Sequence, residues 1–288
     1  MDAILLGLLA GALFGAMTIA VRAGLQRGGD PAIGSVVITA TATLVAVALA
    51  LPSATGSVPL DDLWPFFLVG LAVPGLSQIV FILAVRHAGP SRAAILVGTA
   101  PLGSVALAIL LLGEPVRPVL IAGTALLVAG GVVLALDRRR PAGFRRLGVV
   151  LGLVCAGLFA MRDNAVRWAA RDFDPPALQA SAASLLAAAL ASAIYVGVTR
   201  RDLARPLLRT SARAFLPAGV LLGCAYGALV SGFDRGSVGI VAPLNATQSL
   251  WGVVLAALLY RKSEAIGPRT LLAGVLVVAG GALIGAFR

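Results

Sequence analysis

Charge is what this chain has least of. Only 12% of its 288 residues are Asp, Glu, Lys or Arg, and just two of the 12 acids are glutamate. There is one lysine, one histidine and two cysteines, and aromatics make up 6%. Each shortage removes a class of function. With one histidine and one acid, Asp163, inside an apolar run, there is no metal-ligand spacing and no Ser/His/Asp set. A membrane-embedded enzyme would need paired acids, histidines or a nucleophile–base pair at depth, so no catalytic residue, cofactor or metal is expected. Cys155 and Cys224 each fall inside an apolar run and read as small packing residues, with no disulfide implied. His87, beside Arg86 at the end of a run, reads as a solvated loop histidine, with a proton relay as the minority alternative. Glycine-rich stretches such as Ala129-Gly130-Gly131 lie mid-run, where they cannot cradle a nucleotide.

What is abundant is apolar surface. The chain is 59% hydrophobic with a mean hydropathy of +1.00, more than a soluble domain of this size could hide, so the bilayer must be the solvent. A span needs about 20 mainly apolar residues. Ten such stretches are expected: 3–21, 32–51, 63–85, 92–112, 117–136, 147–166, 176–198, 214–233, 238–260 and 268–287. The first lacks a basic flank and a clear cleavage site and belongs to a repeat, so it reads as structure and not as a removable signal.

That repeat organises the whole chain. Ala12-Leu13-Phe14-Gly15, Ala20-Val21-Arg22 and Asp30-Pro31 return as Gly157-Leu158-Phe159-Ala160, Ala165-Val166-Arg167 and Asp174-Pro175. Leu126 to Gly131 is answered by Leu276 to Gly281, and Glu114 by Glu264. The halves are 1–136 and 147–288, joined by a basic connecting loop over 137–146. Five spans are an odd number, so the second copy must enter the membrane the opposite way. Inverted repeats of this kind are typical of secondary transporters, with the site near the midplane where the halves meet. The fold expected is therefore an all-α integral membrane protein with ten transmembrane helices in two inverted five-helix repeats.

The net charge of +11 does not call for nucleic acid. Seventeen of the 23 basic residues fall in the connections after spans 1, 3, 5, 7 and 9, which the positive-inside rule places in the cytoplasm. Both termini are then outside. Arg162, Arg167 and Arg171 run against this trend, in the company of Asp163, Asp172 and Asp174. The segment Thr199–Arg213 carries five arginines along a short interfacial helix that would anchor topology at anionic headgroups.

Small residues and prolines mark where helices meet or break. Gly7, Gly11 and Gly15 share one face of span 1, Gly148 and Gly152 one of span 6, and Gly223 and Gly227 one of span 8. Such faces suit close packing, sliding between states, or dimerisation through span 1. Pro74, Pro101, Pro217 and Pro243 lie within spans 3, 4, 8 and 9, and each frees a carbonyl that protein or water must take up.

Polar side chains at depth are costly and therefore candidates for a site. Span 9 is richest, with Asn245, Gln248 and Trp251 placed along one helix face. Gln78 in span 3, Thr99 before Pro101 in span 4 and Tyr226 in span 8 complete a polar centre that would bind substrate. Asp163 is the coupling candidate; the simplest account of it is a salt bridge to Arg167 at i+4, toward a wet outer end of span 6. Glu114 and Glu264 read as helix-end hydrogen-bonding residues.

The stretch from Thr99-Ala100-Pro101 through Leu111-Leu112-Gly113-Glu114, Ile121-Ala122-Gly123 and Val128 to Gly131 resembles the EamA-like family of the drug/metabolite transporter superfamily. The second half repeats it more loosely, through Glu264, Leu272-Ala273-Gly274 and Ala279-Gly280-Gly281, with Trp251 at the place of Pro101 and Lys262-Ser263 before the glutamate. The resemblance implies a central cavity lined by the third and fourth helices of each half. It also implies transport of small metabolites such as amino acids, often outward and in some members proton-driven. The expected partners are a small-molecule substrate and the lipid bilayer, with no nucleic acid, in a monomer or homodimer. The excess of Arg over a single Lys, with abundant Ala, points to a GC-rich bacterial genome and its plasma (inner) membrane. The alternatives are a flippase for a lipid-linked headgroup and a non-transporting membrane protein.

Overall fold

The computed structural model describes residues 2–53, 60–112, 118–135, 143–199, 201–260 and 267–286. Among them all regular structure is helical: α1 (Ala3–Gln26), α2 (Pro31–Ala50), α3 (Leu60–Gly70), a π-helical stretch (Leu71–Leu76), α4 (Ser77–Ala88), α5 (Pro90–Val97), α6 (Ala100–Leu112) and α7 (Pro118–Ala135), then α8 (Arg146–Asp172), α9 (Ala177–Thr199), α10 (Arg201–Arg235), α11 (Val238–Asn245), α12 (Gln248–Leu259) and α13 (Pro268–Ala286). Eight stretches are long and apolar enough to cross a bilayer: α1, α2, α3 with α4, α5 with α6, α8, α9, α10 from Leu208, and α11 with α12. They occupy the places of spans 1 to 4 and 6 to 9. In the places of spans 5 and 10, α7 and α13 pack on each other, and a Cβ on Gly130 would meet the Ala273 carbonyl at 2.9 Å.

The connection from α1 to α2 shows how the repeated Asp-Pro signature works locally. Gly28 turns the chain at φ +80. The Asp30 carboxylate then accepts from the N–H groups of Ala32 and Ile33 at 2.9 and 3.1 Å, and Pro31 occupies the first helical position, where its missing N–H costs nothing.

Two expectations about element ends change. Span 6 does not stop at 166: α8 runs on to Asp172, because the helix hydrogen bonds continue where hydropathy falls. The separate interfacial helix expected over Thr199–Arg213 is instead continuous with span 8, as α10 runs unbroken from Arg201 through Pro217 to Arg235.

Three spans are interrupted. Span 3 opens at Val73, whose φ/ψ of −140/113 is not helical, next to Pro74. The carbonyls around that opening are met by side chains from three other helices. Tyr226 Oη of α10 donates to Val73 O (3.2 Å), Ser184 and Ser192 of α9 donate to Phe66 O (2.9 Å) and Gly75 O (3.5 Å), and Cys155 Sγ of α8 lies 3.8 Å from Ser77 O. Interrupted backbone at membrane depth survives only where protein takes up the freed groups. Tyr226→Phe should therefore lower stability by about 1 kcal/mol, read as a reduced Tm of the purified protein. An unchanged Tm would mean the Val73 carbonyl has another partner.

Span 4 breaks its α-helical pattern at Gly98–Thr99 and span 9 at Ala246–Thr247. Each is a tighter turn in which bonds such as Thr99 N to Leu96 O and Thr247 N to Leu244 O span three residues while the backbone stays right-handed. Pro101 is not itself the break; it sits in the first turn of α6, just after it. Pro243 lies within α11, shortly before the second break. The two breaks lie close together. Ser249 Oγ donates to Ala94 O at 3.1 Å, and any Cβ on Gly98 would collide with the Ser249 hydroxyl.

The glycine face of span 1 is covered within the chain. A Cβ on Gly11 would stand 3.0 Å from Asn245 O, and one on Gly15 3.0 Å from Gln248 O. The face seats α1 on α11 and α12 and so is not free to serve as a dimer seam. His87 lies half-buried in the last turn of α4 and not in a loop, and its carbonyl accepts from Arg145 N at 2.8 Å.

Candidate functional site

Where the broken spans approach α1, α8 and α10, the molecule encloses a small central cavity. Its walls are Phe14 and Met17 of α1, Pro74, Gln78 and Phe81 of span 3, Phe159 and Arg162 of α8, Leu222 and Tyr226 of α10, and Gln248 of α12. It admits the centre of a water-sized sphere over about 10 Å³, room for roughly one water. The side chains thus close on one another in this state, and a larger solute requires the helices to part.

Three of the polar residues expected at a binding centre meet here: Gln78, Tyr226 and Gln248. Gln78 is 3% exposed and its Nε2 has no protein hydrogen-bond partner. A buried amide donor left open beside a cavity is costly unless a ligand or water meets it at some stage. Gln248 is similarly buried, in the first turn of α12 just past the break in span 9.

The other expected binding residues lie elsewhere. Thr99 is half-buried at the break of span 4, where its hydroxyl donates to Leu96 O at 2.6 Å. Asn245 ends α11 and is buried with Oδ1 unpartnered, yet is not among the cavity walls. Trp251 is 43% exposed and is not among the cavity walls. The single face drawn through Asn245, Gln248 and Trp251 assumed regular α-helical spacing, and the tighter turn at Ala246–Thr247 departs from it. Glu114 and Glu264 lie outside the described residues.

The cavity residue that sequence reasoning missed is Arg162. It is 3% exposed, with its guanidinium 4.7 Å from the Phe159 ring centroid and 6.0 Å from that of Tyr226. A signal for it was present. The repeat that matches Phe14 to Phe159 also matches Met17 to Arg162, and all four line the same cavity.

Arg162 is also the partner of Asp163, which corrects the expected pairing with Arg167. Nε and Nη2 of Arg162 both donate to Asp163 Oδ1, at 3.0 and 2.7 Å. Ser104 Oγ of α6 donates to the other carboxylate oxygen at 2.8 Å. Asp163 is 2% exposed and not wet. Arg167, one turn on, donates instead to the carbonyls of Phe233 and Asp234 at 2.8 and 3.4 Å, capping the end of α10 where carbonyls lack helical partners. Next to the pair, Asn164 Nδ2 binds Ser104 O at 2.9 Å and so fixes α6 to α8. The centre thus holds a buried, internally neutralised ion pair flanked by two amides and a phenol. That set can hydrogen-bond a polar solute and, through the guanidinium fork, match a carboxylate. Among the described residues no three His, Cys, Asp or Glu side chains come together as a metal site.

Two larger hollows share no wall residue with the central cavity. One, of about 610 Å³, lies between α2, α3 and α9 and is walled almost wholly by apolar side chains, Trp64 and Phe67 among them. The other, of about 380 Å³, lies at the α1–α2 connection and is polar, with Arg22, Gln26, Asp30 and Arg86 on its walls.

A family model described as the EamA-like transporter family matches residues 1–136 and again 146–286. A solved structure described only as the crystal structure of a protein superposes with a TM-score of 0.74, at 22% identity over 99% of each chain. No curated protein matches the chain.

Proposed function

The chain belongs to the EamA-like transporter family, and on that premise we propose that it is a secondary transporter moving small metabolites across the bacterial plasma membrane by alternating access. The observation that carries this reading is the closed central cavity. Its polar walls come from both halves of the chain, and Gln78 presents an open amide donor there. Support for two halves comes from Phe14 and Met17 lining the same space as their repeat counterparts Phe159 and Arg162, and from spans 4 and 9 each being interrupted, within two residues of matching places. The repeats rock about this site. The polar hollow at Arg22 and Arg86 is the cytoplasmic approach, and both termini are outside. The solute is of amino-acid size and enters without adding net charge to the centre, as a neutral molecule, a zwitterion, or a carboxylate accompanied by a proton. Asp163 is the coupling residue.

The test is counterflow in proteoliposomes. Vesicles preloaded with pooled amino acids, monocarboxylates, nucleosides, sugars or cationic amines are diluted into labelled tracer, and one pool should give uptake above empty vesicles. Gln248→Ala should weaken that uptake by about tenfold, the loss of one hydrogen bond, with Tm unchanged. Normal uptake kinetics in that variant would remove Gln248 from the site. A second reading, a flippase for a lipid-linked headgroup, is favoured by the apolar hollow between α2, α3 and α9. Silence with every soluble pool would move weight to it.

A further inference from the structure

We propose that Arg162 is the anchor for a carboxylate on the transported solute, and that Asp163 is an internal competitor which releases Arg162 only on taking up a proton. This rests on the transporter reading and names its substrate class and coupling.

The geometry is that of a fork already in use. Arg162 spends Nε and Nη2 on a single oxygen of Asp163, while the same side chain lines the cavity. An external carboxylate arriving there meets the same cation. Charge arithmetic then limits what can be bound together. With Asp163 ionised, Arg162 and Asp163 sum to zero. A carboxylate with no ammonium of its own, added to that pair, would leave the dry centre with a net negative charge. A proton added to Asp163 alone would leave Arg162 an unpaired buried cation. Each of these states carries the penalty of an uncompensated charge out of water. A proton and a carboxylate added together restore neutrality. The proton passes from water to a carboxylate oxygen of Asp163, and the guanidinium exchanges one carboxylate partner for another. Each ligand therefore favours the other, and the linkage is reciprocal.

Few charges compete for this role. Next to Asp163, α8 supplies Arg162, α10 supplies the Tyr226 phenol and α6 supplies only the Ser104 hydroxyl. The charged groups on the other packed elements group elsewhere. Arg86 and His87 of α4 lie with Arg145, and Arg92 of α5 faces Phe144. Asp234 and Arg235 of α10 lie with Arg167 and Asp174, Asp61 and Asp62 sit in the first turn of α3, and α11 has no titratable side chain. Ser104 binds whichever form Asp163 takes, since a hydroxyl can donate to a carboxylate or accept from a carboxylic acid.

The experiment is the same counterflow assay on the full chain, run from pH 8 to pH 6 with monocarboxylates, with the matching carboxamides, and with L-amino acids, whose ammonium already balances the carboxylate and whose exchange should depend less on pH. Monocarboxylates should exchange and carboxamides should not, and the half-saturation concentration for the monocarboxylates should fall by about tenfold per unit drop in pH until Asp163 is protonated. In Asp163→Asn, which holds the side chain neutral, exchange should persist with that pH dependence gone, and a pH gradient should no longer drive accumulation. Should that variant fold poorly without solute, added monocarboxylate should raise its Tm more than that of the wild type. The wild-type pH profile needs no variant at all. A flat wild-type profile, an Asp163→Asn profile as steep as the wild type, or equal exchange of carboxamides overturns the proposal. Exchange confined to sugars, nucleosides or amines overturns it while the transporter reading stands. Silence with every pool overturns both.

Discussion

Arg162→Gln is expected to abolish transport and to destabilise the fold by about 3–5 kcal/mol, the cost of removing one partner from a buried ion pair. Asp163 would remain as a carboxylate 2% exposed, holding only the Ser104 hydroxyl and no cation. The cost comes from that stranded charge and not from a large intrinsic worth of the pair. The double variant Arg162→Gln/Asp163→Asn should therefore recover most of the lost stability, because a neutral amide pair can hydrogen-bond in the same space. It should not recover transport, because the guanidinium facing Gln78 and Gln248 is gone. Thermal unfolding of the wild type, both single variants and the double variant measures this cycle directly. If Arg162→Gln is as stable as the wild type, the pair is not held in the dry centre described here. If the double variant transports normally, Arg162 is a structural residue.

Gly70→Ala carries the second large effect. Gly70 closes α3 just before span 3 opens, and it presses on α9. A Cβ there would run into the Ser184 carbonyl oxygen and lie 2.6 and 2.7 Å from Ser184 Cα and C. Backbone cannot rotate aside as a side-chain tip can. The helices must separate, and the hydrogen bond from Ser184 to Phe66 O would lengthen with them. A loss of about 1–3 kcal/mol or more is expected, the range for overpacking a tight contact. Gly157→Ala is the control. Nothing stands within 4 Å of its added Cβ, so its Tm should change little. Folded yield and Tm of the two variants side by side check the argument, and equal behaviour would contradict the close approach of α3 and α9.

Much of the architecture was legible because the bilayer imposes a simple code. A span must be about 20 apolar residues long and must satisfy its own backbone. Runs such as Pro31–Ala50 and Ala177–Thr199 announce themselves by composition, and Asp30-Pro31 announces a helix start through its capping chemistry. Polar residues at depth were conspicuous by rarity, so Gln78, Tyr226 and Gln248 could be picked out before any contact was known. The misplaced features share one cause. Hydropathy reports the solvent around a helix and not the course of its hydrogen bonds, so α8 ran past its expected end and α10 began ahead of its own. Of the residues drawn on one face, Asn245, Gln248 and Trp251, only Gln248 lines the cavity, because the chain tightens to three-residue hydrogen bonds at Ala246–Thr247 and the α-helical spacing no longer holds there.

The amino-acid sequence by itself determined the helical membrane class, the doubled pattern, the family and the short list of polar residues. These follow from composition and from spacing along the chain, which need no knowledge of neighbours. Only the tertiary structure decided which of those residues meet. It put Thr99 and Trp251 outside the cavity, gave Asp163 to Arg162 while Arg167 capped α10, and brought an arginine that reads in sequence as an orientation anomaly into the cavity wall. The physical reason is that a side chain's partner in a bundle is set by helix rotation and by where helices break, and in the low dielectric of the interior that partner decides what the charge can do.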